Sequence, residues 1–281
     1  MPKNFKILLG ILVAADIFIW GQILFKNNNG DLKLYFLDVG QGDSQLILAD
    51  GIKIMIDGGP VNGRALENLA KLLLSSDRYI DLLVLTHPQL DHYGGFIDVL
   101  KNYNVGAFVA NGRKGESDAY QSLVETIKDK QIPYIALAKG SAIRYKDLSL
   151  EVLSPSLKNL SSSELNDTSL VILLKDGDLK VLYTGDIGAK VEKELADKYD
   201  LSAQVLKVGH HGSRFSSSQA FLQELKPKIA IIEVGKKNTY GHPTPAVLGR
   251  LADVGSQVFR TDINGLVELI SEAGKLKVYV Y

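Results

Sequence analysis

Cysteine is absent from the 281 residues. That excludes disulfides and thiolate metal ligands, and it leaves the redox compartment open. Net charge is absent as well, because 32 Lys and Arg balance 32 Asp and Glu. A chain without bulk charge has no overall attraction to nucleic acid, so any DNA binding must come from a local basic patch. No internal repeat and no low-complexity run is visible. Histidine is scarce, with five residues in all. The rest is ordinary for a folded domain, at 46% hydrophobic and 23% charged residues, and the length allows one large core or two small ones.

One apolar run stands apart, from Ile7 to Phe25. Its length suffices for a helix to cross a bilayer core. Asp16 opposes insertion by about 2.5–3.5 kcal/mol, and each surrounding Leu, Ile, Phe or Val returns about 0.3–0.6 kcal/mol. Trp20 falls toward the far interface, where indole rings tend to lie. No small-x-small site closes the run, which argues against a cleaved signal peptide. Lys3 and Lys6 precede it and Lys26 alone follows closely, a bias that puts the amino terminus inside and the domain outside. The expected organisation is a cytoplasmic terminus (1–6), a single transmembrane anchor (7–25), a short polar linker (26–31) and one domain (32–281).

Within that domain, strand-like segments alternate with helical ones. Leu32–Leu37, Ser44–Leu48, Ile52–Ile56, Asp81–Leu85, Ala107–Ala110, Ser149–Leu153, Ser169–Leu174, Leu179–Tyr183, Gln204–Val208 and Ile229–Val234 read as strands. So do Gln257–Arg260, Gly265–Ile270 and Lys275–Tyr281 at the end. Val61–Leu74, Phe96–Asn102, Asp118–Lys130, Val191–Lys198 and Ser217–Leu225 read as helices. The pattern alone predicts an α/β or α+β fold with two packed sheets and helices outside.

The histidines concentrate the chemistry. All five lie in Gly-rich or Pro-containing loops: His87 and His92, His210 and His211, and His242. His87-Pro88-Gln89-Leu90-Asp91-His92-Tyr93-Gly94-Gly95 follows one strand, and Asp186 follows another in Thr184-Gly185-Asp186. Imidazole and carboxylate are the ligands of zinc and similar cations, and loops on a rigid sheet are where sites are assembled. The expected ligands are His87, Asp91, His92, Asp186 and one late histidine. His210 and His242 both follow strands; His242 is the favoured ligand, which leaves His210 and His211 facing a substrate with Asp91 in the catalytic set. His211 has a second reading, as a residue that supports a ligand from behind. Ser213 and Arg214 either bind a phosphate or cap the helix near Ser217. Asp57 and Asp38 read as buried turn residues or partners of the ligands.

These segments, with Leu37-Asp38-Val39-Gly40-Gln41-Gly42-Asp43-Ser44, Ile56-Asp57-Gly58-Gly59, Asn166-Asp167-Thr168-Ser169 and Asn238–Pro243, stand in an order that resembles the metallo-β-lactamase superfamily. Within it they resemble the hydrolase domain of the ComEC competence proteins, without their multi-span channel. The resemblance implies a four-layer αββα sandwich and a metallohydrolase acting through a metal-bound hydroxide. It implies a phosphodiesterase or nuclease acting on DNA outside the membrane, with a separate channel protein as partner. A metallohydrolase of another ester, phosphocholine or acyl, is the alternative.

The superfamily loop carries His where this chain has Gln89, and another His where it has Asn166. Both fall on the same metal. Amide oxygens are poorer zinc ligands than imidazole but suit harder cations. The expected cofactor is therefore zinc or manganese, with one tight site and a second weaker one. Gln89, Asn166, Ser169, Ser213 and Asp57 are expected to contact substrate or to support the ligands. Loss of two ligands argues against true β-lactamase activity.

Overall fold

A computed structural model describes residues 16, 32–272 and 275–281. The terminus 1–6, the expected anchor 7–25 apart from Asp16, and the linker 26–31 lie outside the described residues. Among the described residues no helix is long and apolar enough to cross a membrane.

Fifteen strands form two sheets among the described residues. They are β1 (Leu32–Phe36), β2 (Gln45–Ala49), β3 (Ile52–Ile56), β4 (Tyr79–Leu85), β5 (Asn104–Ala110), β6 (Tyr134–Ala136), β7 (Ala142–Tyr145) and β8 (Leu148–Ser154). Then follow β9 (Val171–Asp176), β10 (Leu179–Tyr183), β11 (Val205–Lys207), β12 (Ile229–Ile232), β13 (Gln257–Arg260), β14 (Val267–Glu272) and β15 (Lys275–Val280). The first sheet runs β15-β14-β1-β2-β3-β4-β5-β6 and the second β13-β12-β11-β10-β9-β8-β7.

Both faces of the central strands are apolar, and their alternation sets the layers. In β1, Leu34 and Phe36 face the space between the sheets while Tyr35 turns to the helix side. In β10, Val181 and Tyr183 face inward while Leu182 packs outward. A period of two residues divides such a run cleanly between two cores. On the outer face of the first sheet lie α1 (Arg64–Leu72), α2 (Leu90–Tyr93), α3 (Phe96–Asn102) and α4 (Asp118–Asp129), which contribute Ala65, Leu69, Phe96, Val99 and Leu123. Outside the second sheet lie α5 (Ala189–Ala196), α6 (Gln219–Leu225) and α7 (Pro245–Asp253), which contribute Val191, Phe221, Leu222 and Leu251. The result is the expected helix–sheet–sheet–helix sandwich.

The departures from the sequence reading are local. The first helix stops at Leu72 rather than Leu74, because Leu73 is extended, and Leu74 is 77% exposed. Strands β6 and β7 are short and mostly exposed, so no apolar pattern marks them. Helix α7 is a further departure, and its start carries a sequence mark: Thr244 stands at its N-cap and Pro245 in its first turn.

What matters for function is direction. Strands β3 to β6 are parallel neighbours in one sheet, and β10 to β13 are parallel neighbours in the other. The loops that follow β3, β4, β10, β11 and β12 meet in one place.

Candidate metal centre

Asp57 follows β3, the His87–His92 loop follows β4, and Asp186 follows β10. His210 and His211 follow β11, and Glu233 follows β12. The turns are tight enough to need glycine at two points. Gly185 has φ +51°, and a Cβ there would stand 2.9 Å from the Ser169 Cβ. A Cβ on Gly42 would meet the Asp91 carbonyl at 2.3 Å, in a turn where Asp43 N donates to that same oxygen at 3.2 Å.

Asp91, His92, Asp186 and His211 bring one ligand atom each to within 4.8 Å of one another. His92 Nε2 is 3.3 Å from Asp186 Oδ2, and His211 Nε2 is 3.3 Å from Asp91 Oδ2 and 3.7 Å from Asp186 Oδ2. The outer ring nitrogens fix the tautomers. His92 Nδ1 donates to Asp57 Oδ2 at 2.8 Å, and His211 Nδ1 donates to the Glu233 carbonyl at 2.9 Å, with Asp43 Oδ1 at 3.2 Å. In each neutral imidazole the Nε2 lone pair therefore faces the cluster, the arrangement in which a hydrogen-bonded histidine ligates a metal. His92 Nε2 and Asp186 Oδ1 are buried without a hydrogen-bond partner among the described residues. These residues fit a divalent cation.

The electrostatics agree. Burial opposes a charge on His92, but Asp186, Asp57 and Asp91 outweigh it and hold its pKa well above the ordinary value. Burial likewise opposes a charge on His211, yet Asp186 and Asp43 push it up to about 10. Burial alone would raise Asp186, but His92 and His211 hold it well below the usual carboxylate range. Asp91 is lowered too, against burial, chiefly by His92. Without a metal the carboxylates demand protons on both imidazoles, and a divalent cation answers the same demand.

The four-residue cluster differs from the expected ligand set. His211 joins the cluster, whereas His242 and His87 stand outside it. The reason lies in the backbone: His210 (φ 50°, ψ 47°) and His211 (φ 52°, ψ 24°) are successive left-handed residues. That turn sends His211 inward, 2% exposed, and leaves His210 half-buried on the cleft. His242 instead stacks on Tyr240, 5.8 Å between ring centroids, and sits 5.8 Å from the His210 ring.

His87 is fully buried with both nitrogens engaged, Nδ1 with Thr86 Oγ1 at 3.0 Å and Nε2 with Gln89 Oε1 at 2.8 Å. Burial and the neighbouring His92 push its pKa down to about 4, so it is neutral. Asn166 Nδ2 meets His210 Nδ1 at 3.4 Å. Gln89 and Asn166 thus hold imidazoles by hydrogen bonds where the superfamily pattern has ligands.

The other expected residues support the loops. Ser169 Oγ accepts from Asp186 N at 3.3 Å, and Ser213 Oγ accepts from Phe215 N at 3.4 Å. The helix near Ser217 is capped not by Ser213 but by Glu192, whose carboxylate accepts from Ser217 N and Ser218 N. Arg214 lies over the Phe215 ring at 4.7 Å. Asp38 is not buried; it pairs with Arg64 at 3.2 Å on the surface.

Three buried ionisable residues behind the cluster do not stand out in the sequence motifs: Asp43, Lys207 and Glu233. Lys207 Nζ bonds to Asp43 Oδ2, and Glu233 accepts from Ser44 N at 3.0 Å and from Gln45 Nε2. Burial and then Asp43 push the Glu233 carboxyl well above the usual carboxylate range. The readable signal was a Lys inside Val205–Val208 and a Glu inside Ile229–Val234, since such residues are almost never buried without a partner.

Residues 37–235 match the family model described as the metallo-beta-lactamase superfamily. The chain belongs to that superfamily. It is 31% identical over 250 residues to ComE operon protein 3 of Bacillus subtilis, covering 83% of this chain and 32% of that protein. It is 32% identical over 243 residues to competence protein ComA of Neisseria gonorrhoeae, covering 85% of this chain and again 32% of the relative. The chain thus spans about a third of the length of these curated relatives. Among solved structures, the metallo-beta-lactamase fold protein YhfI of Bacillus subtilis superposes with a TM-score of 0.57 at 11% identity, over 89% of this chain and all of that one. At that identity the likeness is one of fold alone.

The ligand assignment predicts a graded loss of metal. His211→Ala should weaken manganese or zinc binding by more than about 100-fold. Asp57→Asn, which keeps the shape but alters the support of His92, should weaken it about 10–100-fold. His242→Ala should leave it unchanged. Calorimetric titration of the three variants checks this, and metal loss in His242→Ala with retention in His211→Ala would reverse the assignment.

Proposed function

We propose that this metallo-β-lactamase-fold hydrolase is a metal-dependent phosphodiesterase acting on DNA. The observation that carries the reading is the way the cluster opens. Asp91 and Asp186 reach a cleft of about 710 Å³ that is also lined by His210, Asn166, Lys237, Tyr240 and His242. Asp91, His92, Asp186 and His211 would hold zinc or manganese in one tight site, with any second cation weaker beside Gln89 and Asn166. When bound, the cation supplies Lewis-acid stabilisation of phosphoryl charge and lowers the pKa of a coordinated water.

The chain's own residues supply the rest. Asn166 Nδ2 donates to His210 Nδ1, which leaves the proton on Nε2. His210, whose pKa burial pushes down, is then a neutral hydrogen-bond donor to the leaving oxygen. As the water oxygen forms its bond to phosphorus and the P–O bond to the leaving group breaks, the Nε2–H hydrogen bond stabilises the charge on that oxygen, which takes its proton from solvent water. Asp91, the cluster member exposed to the cleft, accepts the proton of the attacking water. Lys237 offers positive charge to a neighbouring phosphate. The similarity to competence proteins favours DNA over a phosphocholine or acyl ester, which the fold hosts equally well.

We also propose that segment 7–25 anchors the chain in a membrane with the domain outside, beside a separate channel-forming protein. The motive is its apolar length and the leading lysines. A reporter fused after Tyr281 should be active outside the cell membrane; activity confined to the cytoplasm would contradict this.

A hydrogen bond to the leaving oxygen predicts a leaving-group dependence. His210→Ala should slow cleavage of single-stranded DNA, whose alkoxide leaves poorly, by about 100–1,000-fold. It should barely change cleavage of bis-p-nitrophenyl phosphate, whose phenolate leaves without a proton, and should keep its metal. Equal losses on both substrates would remove His210 from that role. Turnover of nitrocefin, a phosphocholine ester or an acyl ester with no phosphodiester cleaved under manganese, magnesium or zinc would refute the DNA reading.

A further inference from the structure

Tyr240 is 70% exposed and lines the same cleft as Asp91, Asp186 and His210. An exposed tyrosine on a loop is common, but this one is held from below. Asn238 Nδ2 donates to the carbonyls of Gly235 and His242, each at 2.9 Å, and Asn238 Oδ1 accepts from His242 N at 2.9 Å. One side chain therefore ties both ends of the 235–242 loop. At its base Gly235 N donates to Gln41 Oε1 at 3.2 Å, and a Cβ on Gly235 would stand 2.7 Å from Gln41 N. The loop is wedged against the turn that follows β1.

The ring itself is oriented. It lies nearly parallel to His242, at 24° and 5.8 Å, and His242 is flanked in turn by His210. One face of Tyr240 is thus backed by an imidazole. His242 Nδ1 and Asn166 Oδ1, both in the cleft, are buried without a hydrogen-bond partner among the described residues. Lys236 and Lys237 precede the ring; both are exposed and neither forms an ion pair among the described residues.

We propose that Tyr240 is a stacking platform for an unpaired nucleobase next to the phosphodiester that the cluster cleaves. The proposal rests on the DNA reading above and adds to it the strand state and a contact residue. A flat apolar face fixed beside a phosphate-cleaving centre and two free lysines matches a ligand that joins a flat ring to phosphate. Aromatic stacking is indifferent to base identity, because every base has a π-face, and it requires a base that is not paired. His242, placed outside the metal cluster, acquires a role as the ring that sets the platform's angle.

The test compares Tyr240→Ala and Tyr240→Trp with the unaltered full chain, loaded with manganese. The two substrates are oligothymidylate and an oligomer of equal length whose sugars carry no base. Tyr240→Ala should lower kcat/KM on oligothymidylate by about 5- to 150-fold, the range for one lost base stack, and leave the baseless oligomer unchanged. Tyr240→Trp should retain activity, and in the metal-free protein its fluorescence should be quenched by oligothymidylate alone. Equal losses on both oligomers, or no loss, overturn the platform while leaving the phosphodiesterase reading intact. If the unaltered protein cleaves neither oligomer, the DNA reading fails and the platform with it. If Tyr240→Ala changes only sedimentation with anionic phospholipid vesicles, the ring serves a membrane surface and the proposal is overturned.

Discussion

The crowding of carboxylates around two imidazole lone pairs governs this structure. Asp91 and Asp186 face His92 Nε2 and His211 Nε2 from the cleft side, and Asp57 and Asp43 hold the same two rings from behind. Four acids within one small volume are not stable alone in a buried site. Both imidazoles are consequently pushed toward their charged form, and both present a nitrogen where a cation would sit. The loops after β3, β4, β10 and β11 each deliver one or two of these groups.

Behind the cluster the fold balances its own charge. Lys207, buried inside β11, neutralises Asp43, while Glu233 accepts from Ser44 and Gln45. These residues join the turn after β1 to β11 and β12, so the two sheets meet through polar contacts here and through apolar ones elsewhere. Removing Lys207 alone would strand Asp43, and breaking a buried pair in this way costs about 3–5 kcal/mol. The metal centre and the seam between the sheets are the same piece of construction.

The layers were legible because strands such as Leu34-Tyr35-Phe36 and Val181-Leu182-Tyr183 alternate cleanly between two apolar cores. Asp91, His92 and Asp186 were legible because each follows an apolar strand in a Gly-containing turn. That His211 stands in the cluster, and neither His210 nor His242, was not. It is decided by two consecutive left-handed residues, His210 and His211, and no pattern of residue types announces that backbone at non-glycine positions. Nor was the bonding of His87 legible: a neighbouring amide, Gln89, takes its outer nitrogen. The buried residues Lys207 and Glu233 were visible as irregularities in apolar runs, but only the fold shows that they converge with Asp43.

The central claim is that one cation is held by Asp91, His92, Asp186 and His211, while the position beside His87, Gln89 and Asn166 is the weaker. Crystals of the domain grown with manganese, measured at wavelengths on either side of the metal absorption edge, address it directly. The account predicts one strong anomalous peak inside the four-residue cluster and little or none near Gln89. Two peaks of equal height, or a single peak ligated by His242 in place of His211, would contradict it.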